Sequence, residues 1–214
     1  MRFRLGKILV DGGFVSADAL DQALKSQTKR PLGQVLISMG ALRSVELKTA
    51  LALQSQLALA RDPAKVATGP RQNLGELLIQ AKCITREQLD LALLKQTMTK
   101  GKLGSILIDW NLLTEKRLDA ALAFQERQES PKHGFLLLKL GNLLVAQGSI
   151  TETQLHDAIS ESGREKIGET LIRKGLVTQE DVDAALALQR KLLNAALLAS
   201  MSLADPQPEQ PGKS

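Results

Sequence analysis

Aromatic side chains are nearly missing from this chain. They make up 2% of its 214 residues, with no tyrosine, one tryptophan and four phenylalanines. Any core must be filled by Leu, Ile, Val and Ala, and base stacking on rings, the habit of single-strand nucleic-acid binders, has no means here. The one cysteine, Cys83, excludes an intramolecular disulfide framework, and its place between Ala81 and Ile84 reads as a buried spacer. Two histidines, His133 and His156, stand in no Cys/His cluster of metal-binding spacing. His133 sits in a Pro- and charge-rich stretch, and His156 points away from a Leu155/Ile159 stripe, so both read as exposed. Glu152, Asp157, Glu180 and Asp181 sit near helix starts, where they complement the dipole without catalysis. The terminal Gly212-Lys213-Ser214 lacks the upstream glycine of a phosphate loop, since Gln207 stands there. Binding, not enzymatic catalysis, is the expectation.

Long apolar runs are lacking too. No stretch reaches bilayer-spanning length, and the opening MRFRLGKILVDGGF has no apolar h-region, so a cytoplasmic protein is expected. The net charge is +5, but 28 basic residues are interleaved with 23 acidic ones and form no long basic block. That balance argues against a nucleic-acid polymer as partner. It suits a small anionic ligand or an acidic protein surface.

What is present is one pattern, repeated. A Leu-Gly step occurs at Leu5-Gly6, Leu32-Gly33, Leu74-Gly75, Leu103-Gly104 and Leu140-Gly141, with the variant Ile167-Gly168. Six units align around it without gaps: Arg4–Gln27, Pro31–Gln54, Asn73–Gln96, Lys102–Gln125, Lys139–Ser162 and Lys166–Gln189. The glycines are 27, 29 and 27 residues apart within successive pairs, and 42 and 37 apart between pairs. The units therefore come as three pairs.

Each unit predicts two short helices. Leu5, Ile8, Leu9 and Val10 form an apolar face that must stop near Gly12-Gly13, and Gly40, Asn111, Gly148 and Gly175 hold the same place. Lys82 is the exception, where strain or a different turn is expected. Ser16, Ser44, Thr85, Thr114, Thr151 and Thr178 are read as caps of the second helix, with capping boxes at Thr85/Gln88 and Thr151/Gln154. The second helix is expected to bury leucines four apart, such as Leu20/Leu24, Leu89/Leu93 and Leu118/Leu122. No stretch keeps a strand's period. The chain is read as all-α, a tandem helical repeat of six two-helix motifs in three domains.

Composition marks the boundaries. Ala60–Pro70 and Glu126–Gly134 carry Pro, Gly and charge and read as linkers. The expected domains are residues 1–57, 71–126 and 137–203, with a disordered Pro- and Gln-rich tail at 204–214. The last helix runs on past unit six as RKLLNAALLASMSL. Its apolar face either caps the third pair or seeks a helix from a partner.

Two recurring features carry the functional reading. A basic or polar residue precedes the Leu-Gly step: Arg4, Asn73, Lys102, Lys139, Lys166. A glutamine closes most units: Gln27, Gln54, Gln96, Gln125, Gln189. Each feature admits two readings. The glycine serves close helix packing or lets a ligand approach the backbone. The cation is a solvated helix-start residue or a phosphate or guanine contact. The glutamine is a helix-end residue of good propensity or a donor and acceptor for a ligand.

With these residues on the page, the string RLGKILVDGG…ALDQALKSQ resembles the 24-residue motif of the MshEN-type domain. That is the N-terminal domain of type II secretion and type IV pilus assembly ATPases. The resemblance covers about residues 4 to 192 as three tandem copies of a two-motif domain. It implies a helical fold and, as in many members, binding of cyclic di-GMP across a pair of motifs. No P-loop accompanies it, so motor activity is not implied. Carried over, the implied ligand-binding residues of pair one are Arg4, Leu5, Gly6, Leu9, Leu20, Leu24 and Gln27, then Leu32, Gly33, Leu36, Leu47, Leu51 and Gln54. Pro31 stands where a basic residue belongs, and the adjacent Arg30 substitutes for it. Pair two retains Lys102, Leu103, Gly104 and Gln125 but has Asn73 and Lys82 at motif positions. Pair three has Lys139, Ser162, Ile159 and Val182 as departures and retains Lys166, Gly168 and Gln189.

The implied function is a cyclic di-GMP-binding regulatory protein, without a metal, acting through protein partners in a secretion, pilus or exopolysaccharide system. The alternative is a nucleotide-independent protein-interaction scaffold built from the same domains. Arg4 separates the two, because a scaffold has no special need for it. A DNA-binding helix-turn-helix is disfavoured by the absence of clustered base-reading side chains.

Overall fold

The structure, a computed structural model, describes residues 3–27, 30–59, 71–128, 139–163 and 165–204. Among these residues the chain is all-helical and forms twelve helices. They are α1 (Leu5–Asp11), α2 (Ala17–Ser26), α3 (Leu32–Ser38), α4 (Ser44–Leu59), α5 (Leu74–Gln80), α6 (Arg86–Thr99), α7 (Leu103–Asp109), α8 (Glu115–Gln128), α9 (Leu140–Gln147), α10 (Glu152–Ser162), α11 (Ile167–Arg173) and α12 (Gln179–Ala204). Short and longer helices alternate throughout. None among the described residues is long and apolar enough to cross a membrane.

The turn between a short helix and the next longer one has a common geometry. One residue there takes a left-handed conformation: Gly13, Gly40, Lys82, Asn111, Gly148 and Gly175. The amides of that residue and its successor bond back to the helix, as Lys82 to Ile79 and Cys83 to Leu78, both at 2.9 Å. Lys82 thus makes the ordinary turn, not a different one, at φ 54°. A side chain with a Cβ is strained in this region, where glycine is not.

Side-chain caps start the longer helices. Ser16 accepts from the Ala19 amide, and Thr85 and Thr151 form complete capping boxes with Gln88 and Gln154. Thr114 accepts from the Arg117 amide at 3.3 Å, and Thr178 pairs with Asp181. The expected cap at Ser44 is corrected. Ser44 is the first residue of α4, and Arg43 holds the equivalent place. The Glu46 carboxylate accepts from the Arg43 amide at 3.1 Å, supplying the cap from within the helix.

Core packing also differs from a simple i, i+4 leucine stripe. Leu20 and Leu89 pack inward, but Leu24, Leu93 and Leu122 are exposed. The positions that vanish inside are the alanines just before them: Ala23, Ala50, Ala92, Ala121, Ala158 and Ala185, all wholly inaccessible. The buried line along α2 runs through Leu20 and Ala23, so Leu24 lies on its flank. A small residue on that line lets helices approach closely, which pushes the flanking leucine outward. From the short helices, Leu9, Leu36, Leu78, Leu107, Leu144 and Leu171 fill the interior at zero exposure.

Helix contacts recur in one form. α1 packs on α4 and α2 on α3; α5 packs on α8 and α6 on α7; α9 packs on α12 and α10 on α11. Each time the short helix of one two-helix stretch meets the longer helix of the other. The last helix does more than cap the third pair. α12 packs on α1, α4 and α8 as well as α9, and Leu192, Leu193, Ala196, Leu197 and Met201 are buried along it. At one end Gly12 admits its backbone: a Cβ there would stand 2.8 Å from the Lys191 carbonyl. Further along, Met201 Sδ lies 3.8 Å from Cys83 Sγ, which leaves the thiol partly buried. The expected linker at Glu126–Gly134 begins late, because α8 continues through Gln128. Residues 60–70, His133, the tail from 205 and its Gly-Lys-Ser end lie outside the described residues.

One ion pair ties α12 to α4. Lys191 Nζ lies 2.9 Å from Glu46 Oε1, with Arg43 at 3.3 Å from the same oxygen and Phe14 beneath the ammonium at 5.2 Å. Burial pushes the Glu46 carboxyl up, but the bonds from Arg43 and Lys191 outweigh it and hold it below its ordinary value of 4.5.

Two stability predictions follow from these contacts. Lys82→Gly relieves the left-handed strain and should raise stability by about 0.5–1 kcal/mol, net of the entropy that glycine adds to the unfolded chain. A lower urea midpoint for Lys82→Gly would contradict the turn assignment. For Glu46, a depressed folded-state value means stabilisation that is present above about pH 4.5 and lost as pH falls through the folded value. Glu46→Gln should be less stable than the parent at neutral pH and should lose less on acidification. Parallel pH profiles of the melting temperature would show that the pair contributes nothing.

Candidate functional site

The glycine of each Leu-Gly step lies under a side chain of the following helix. A Cβ on Gly33 would stand 2.6 Å from Leu47 Cδ1, and one on Gly75 or Gly104 would press equally on Leu89 or Leu118. Gly141 meets Leu155 in the same way, and Gly168 meets Val182 at 3.6 Å. Gly6 is roomier, at 3.2 Å from Leu20. Gly33, Gly75, Gly104 and Gly141 are therefore accounted for by close packing between the two helices of a unit, whereas Gly6 and Gly168 are less tightly covered. Gly33, Gly104 and Gly168 are buried, and only Gly6 among the named glycines is partly open.

The glutamines also have an internal task. Gln27 Nε2 donates to the Arg30 carbonyl at 3.0 Å, and Gln54 Nε2 donates to the Phe3 carbonyl at 2.6 Å. Gln96 donates to Gly101 at 3.1 Å and Gln125 to Gln72 at 2.6 Å. Each acceptor lies two residues before the Leu-Gly step of the other unit in the pair. The bond is reciprocal: unit one holds the lead-in of unit two, and unit two holds that of unit one. Gln128 adds two bonds to Gln72, at 3.0 and 3.1 Å. Ser162 replaces the glutamine in unit five and bonds instead to Ile159 within its own helix.

The remaining residues of the implied site divide by depth. Leu9 and Leu36 are wholly buried and belong to the core, not to a surface. Leu5, Leu20, Leu32 and Leu47 are half-buried. The two Leu-Gly steps of pair one come together, since a Cβ on Gly6 would stand 3.7 Å from Leu32 Cδ2. Pair three repeats this, with Gly168 against Leu140 at 3.3 Å. Arg4 caps the start of α1 from an exposed position, with no side-chain bond to the helix, and Arg30 is exposed as well. Lys102 is exposed beside half-buried Leu103. Lys166 lies 3.9 Å from Glu169. Gln125 is turned inward and Gln189 is half-buried.

One class of residue stays on the surface in all six units. Leu24, Leu51, Leu93, Leu122, Ile159 and Leu186 occupy equivalent positions and are 37 to 56% exposed. Packing within the chain does not need a large apolar residue at a place it leaves open to water. Sequence reasoning placed Leu24, Leu93 and Leu122 in the core, while the resemblance also gave Leu24 and Leu51 to the ligand site. The repeated Ala-Leu dipeptide, with alanine as the buried member, is the signal that could have placed them.

Cys83 is a poor nucleophile here. Burial raises its thiol above the ordinary range, against a smaller opposing influence of Arg117. His156 is exposed on α10, and its neighbour Ile159 is exposed too, so no apolar stripe accompanies it. Among the described residues no group of three His, Cys, Asp or Glu could hold a metal ion. Comparison with protein-family models, with curated proteins and with solved structures finds no match.

The glutamine bonds make a graded prediction. Gln125→Ala leaves the Gln72 carbonyl without its partner at a part-buried bond and should cost about 1–3 kcal/mol. Gln27→Ala, at an exposed bond that water can replace, should cost less than about 1 kcal/mol. Equal urea midpoints for the two variants would remove the latch from the account of stability.

Proposed function

We propose that the chain is a non-enzymatic receptor for cyclic di-GMP, made of six two-helix motifs paired into three MshEN-like domains, with its principal site in pair one. The supporting observation is the exposed leucine pair, Leu24 and Leu51, together with an exposed Arg4 at the start of α1. Each leucine lies one turn beyond the side chain that covers the Leu-Gly step of its own unit. Two units meeting through their Leu-Gly steps offer a quasi-symmetric apolar platform, which suits a ligand with two equivalent purine halves. Leucine supplies the apolar contact to a base that rings supply elsewhere, in a chain nearly devoid of rings. Arg4 adds a forked donor for phosphate or a guanine edge. Pair two has Asn73 and pair three Lys139 at that position, so neither presents the same fork.

The internal use of the glycines and glutamines favours a second reading. If those residues serve packing alone, the exposed leucines belong to a protein-docking face and the domains form a nucleotide-independent scaffold. One calorimetric titration separates the two. Cyclic di-GMP should bind the full chain, and Arg4→Ala should weaken binding by about 1.5–3 kcal/mol through loss of a charge-assisted contact. Leu24→Asp should weaken it as well, without loss of fold, because the side chain is exposed. Absence of heat with the parent protein supports the scaffold. Undiminished affinity in Arg4→Ala, with binding abolished by changes at Lys102 or Lys139, would move the site out of pair one.

A further inference from the structure

Three of the longer helices, α2, α6 and α10, make their main contacts only with the short helices of their own pairs, whereas α4 and α8 both pack on α12. The outward positions of α2 hold Gln22 and Lys25, and those of α10 hold Asp157 and Ser160, all exposed and polar. The equivalent positions of α6 hold Leu91 and Leu94, and Met98 follows one turn later. Their exposures are 57, 62 and 83%. The spacing of 91, 94 and 98 places them on one face of α6, opposite the face that buries Leu89 and Ala92. The repeat does not require this stripe, since its two counterparts do without it. Leu93, the exposed leucine shared by all units, points to another side of the same helix and is not part of the stripe.

The charges that bracket the stripe say what covers it. Glu87 and Asp90 stand at its N-terminal end, where the one nearby cation of α6, Arg86, is paired with Glu76 at 2.9 Å, and Lys95, Lys100 and Lys102 stand towards its C-terminal end, all exposed. Two copies of α6 laid antiparallel put the acidic end of each against the basic end of the other. A parallel arrangement would put like charges together at both ends. A surface complementary to itself under a two-fold rotation is what an isologous dimer needs. We propose that the chain self-associates through an antiparallel α6–α6 contact centred on Leu94, with Leu91 and Met98 packing across the axis. This proposal does not rest on the nucleotide reading. The stripe is one helix wide and falls below the roughly 1,200 Å² of a standard interface, so the association is weak and reversible.

Sedimentation velocity on the full chain, from low to several hundred micromolar, tests it. The parent should shift from monomer towards dimer as concentration rises, and Leu94→Asp should remain monomeric with an unchanged circular dichroism melt. A charge exchange supplies the orientation. Glu87→Lys with Asp90→Lys should abolish self-association, as should Lys100→Glu with Lys102→Glu, while an equimolar mixture of the two variants should dimerise again. A parent that stays monomeric throughout would falsify the proposal, including the case where the stripe serves a different protein. A dimer that survives Leu94→Asp, or a mixture that stays monomeric, overturns it equally.

Discussion

Everything in this fold depends on how closely the two helices of a unit approach. Glycine under leucine sets that distance. At Gly33 a single added carbon would come within 2.6 Å of Leu47, and Gly75, Gly104 and Gly141 make the same contact with Leu89, Leu118 and Leu155. Once the short helix and the longer one are this close, the next inward residue has no room for more than a methyl group, and alanine fills it in all six units. The leucine after the alanine is then forced to the flank. One steric relation therefore determines a core of small residues and a surface of exposed leucines.

The pairing of units rests on a second relation, polar and reciprocal. A glutamine at the end of one unit donates to a carbonyl just ahead of the other unit's Leu-Gly step. The carbonyls lie outside any helix, so without the glutamine their lone pairs would depend on water. Where the bond is part-buried, as at Gln72, it is short, and Gln128 adds bonds to the Gln72 amide and side chain. Where it is not, as at Arg30, the same bond is exposed and replaceable. Across the four glutamines of the first four units the geometry is uniform but the energetic weight is uneven, and a residue's recurrence does not measure its contribution.

The helices were legible in the sequence because their signals are local. Thr85 with Gln88, Thr151 with Gln154, and the glycines at 13, 40, 148 and 175 fix starts and stops within a few residues. The depth of each leucine was not legible. Leu20 and Leu24 are four apart and look alike, and only the close approach at Ala23 separates them. The glutamine bonds span 51 and 53 residues in the cases of Gln54 and Gln125, beyond any local rule. Ser44 was misread because a hydroxyl stood one position beyond the cap, where Glu46 performs the task. The candidate site was legible as a set of positions. The split of that set into core, latch and open surface required the contacts.

α12 gives the three pairs a common reference. It belongs to unit six through Leu186 and Gln189, then continues past the end of the repeat and buries its length among α1, α4, α8 and α9. Terminal repeats ordinarily need a polar cap, because nothing follows to cover them. Here the last helix instead supplies apolar surface to α1, α4, α8 and α9 and is covered by them. The ion pair of Lys191 with Glu46 lies five residues from Leu186 on one helix and five from Leu51 on the other. Leu51 and Leu186 are therefore carried by two helices that are themselves fastened together. A rigid helix transmits displacement along its axis with little loss. The positions of these two leucines are accordingly set by one joint, and a chain of separate domains on flexible linkers would have no such constraint.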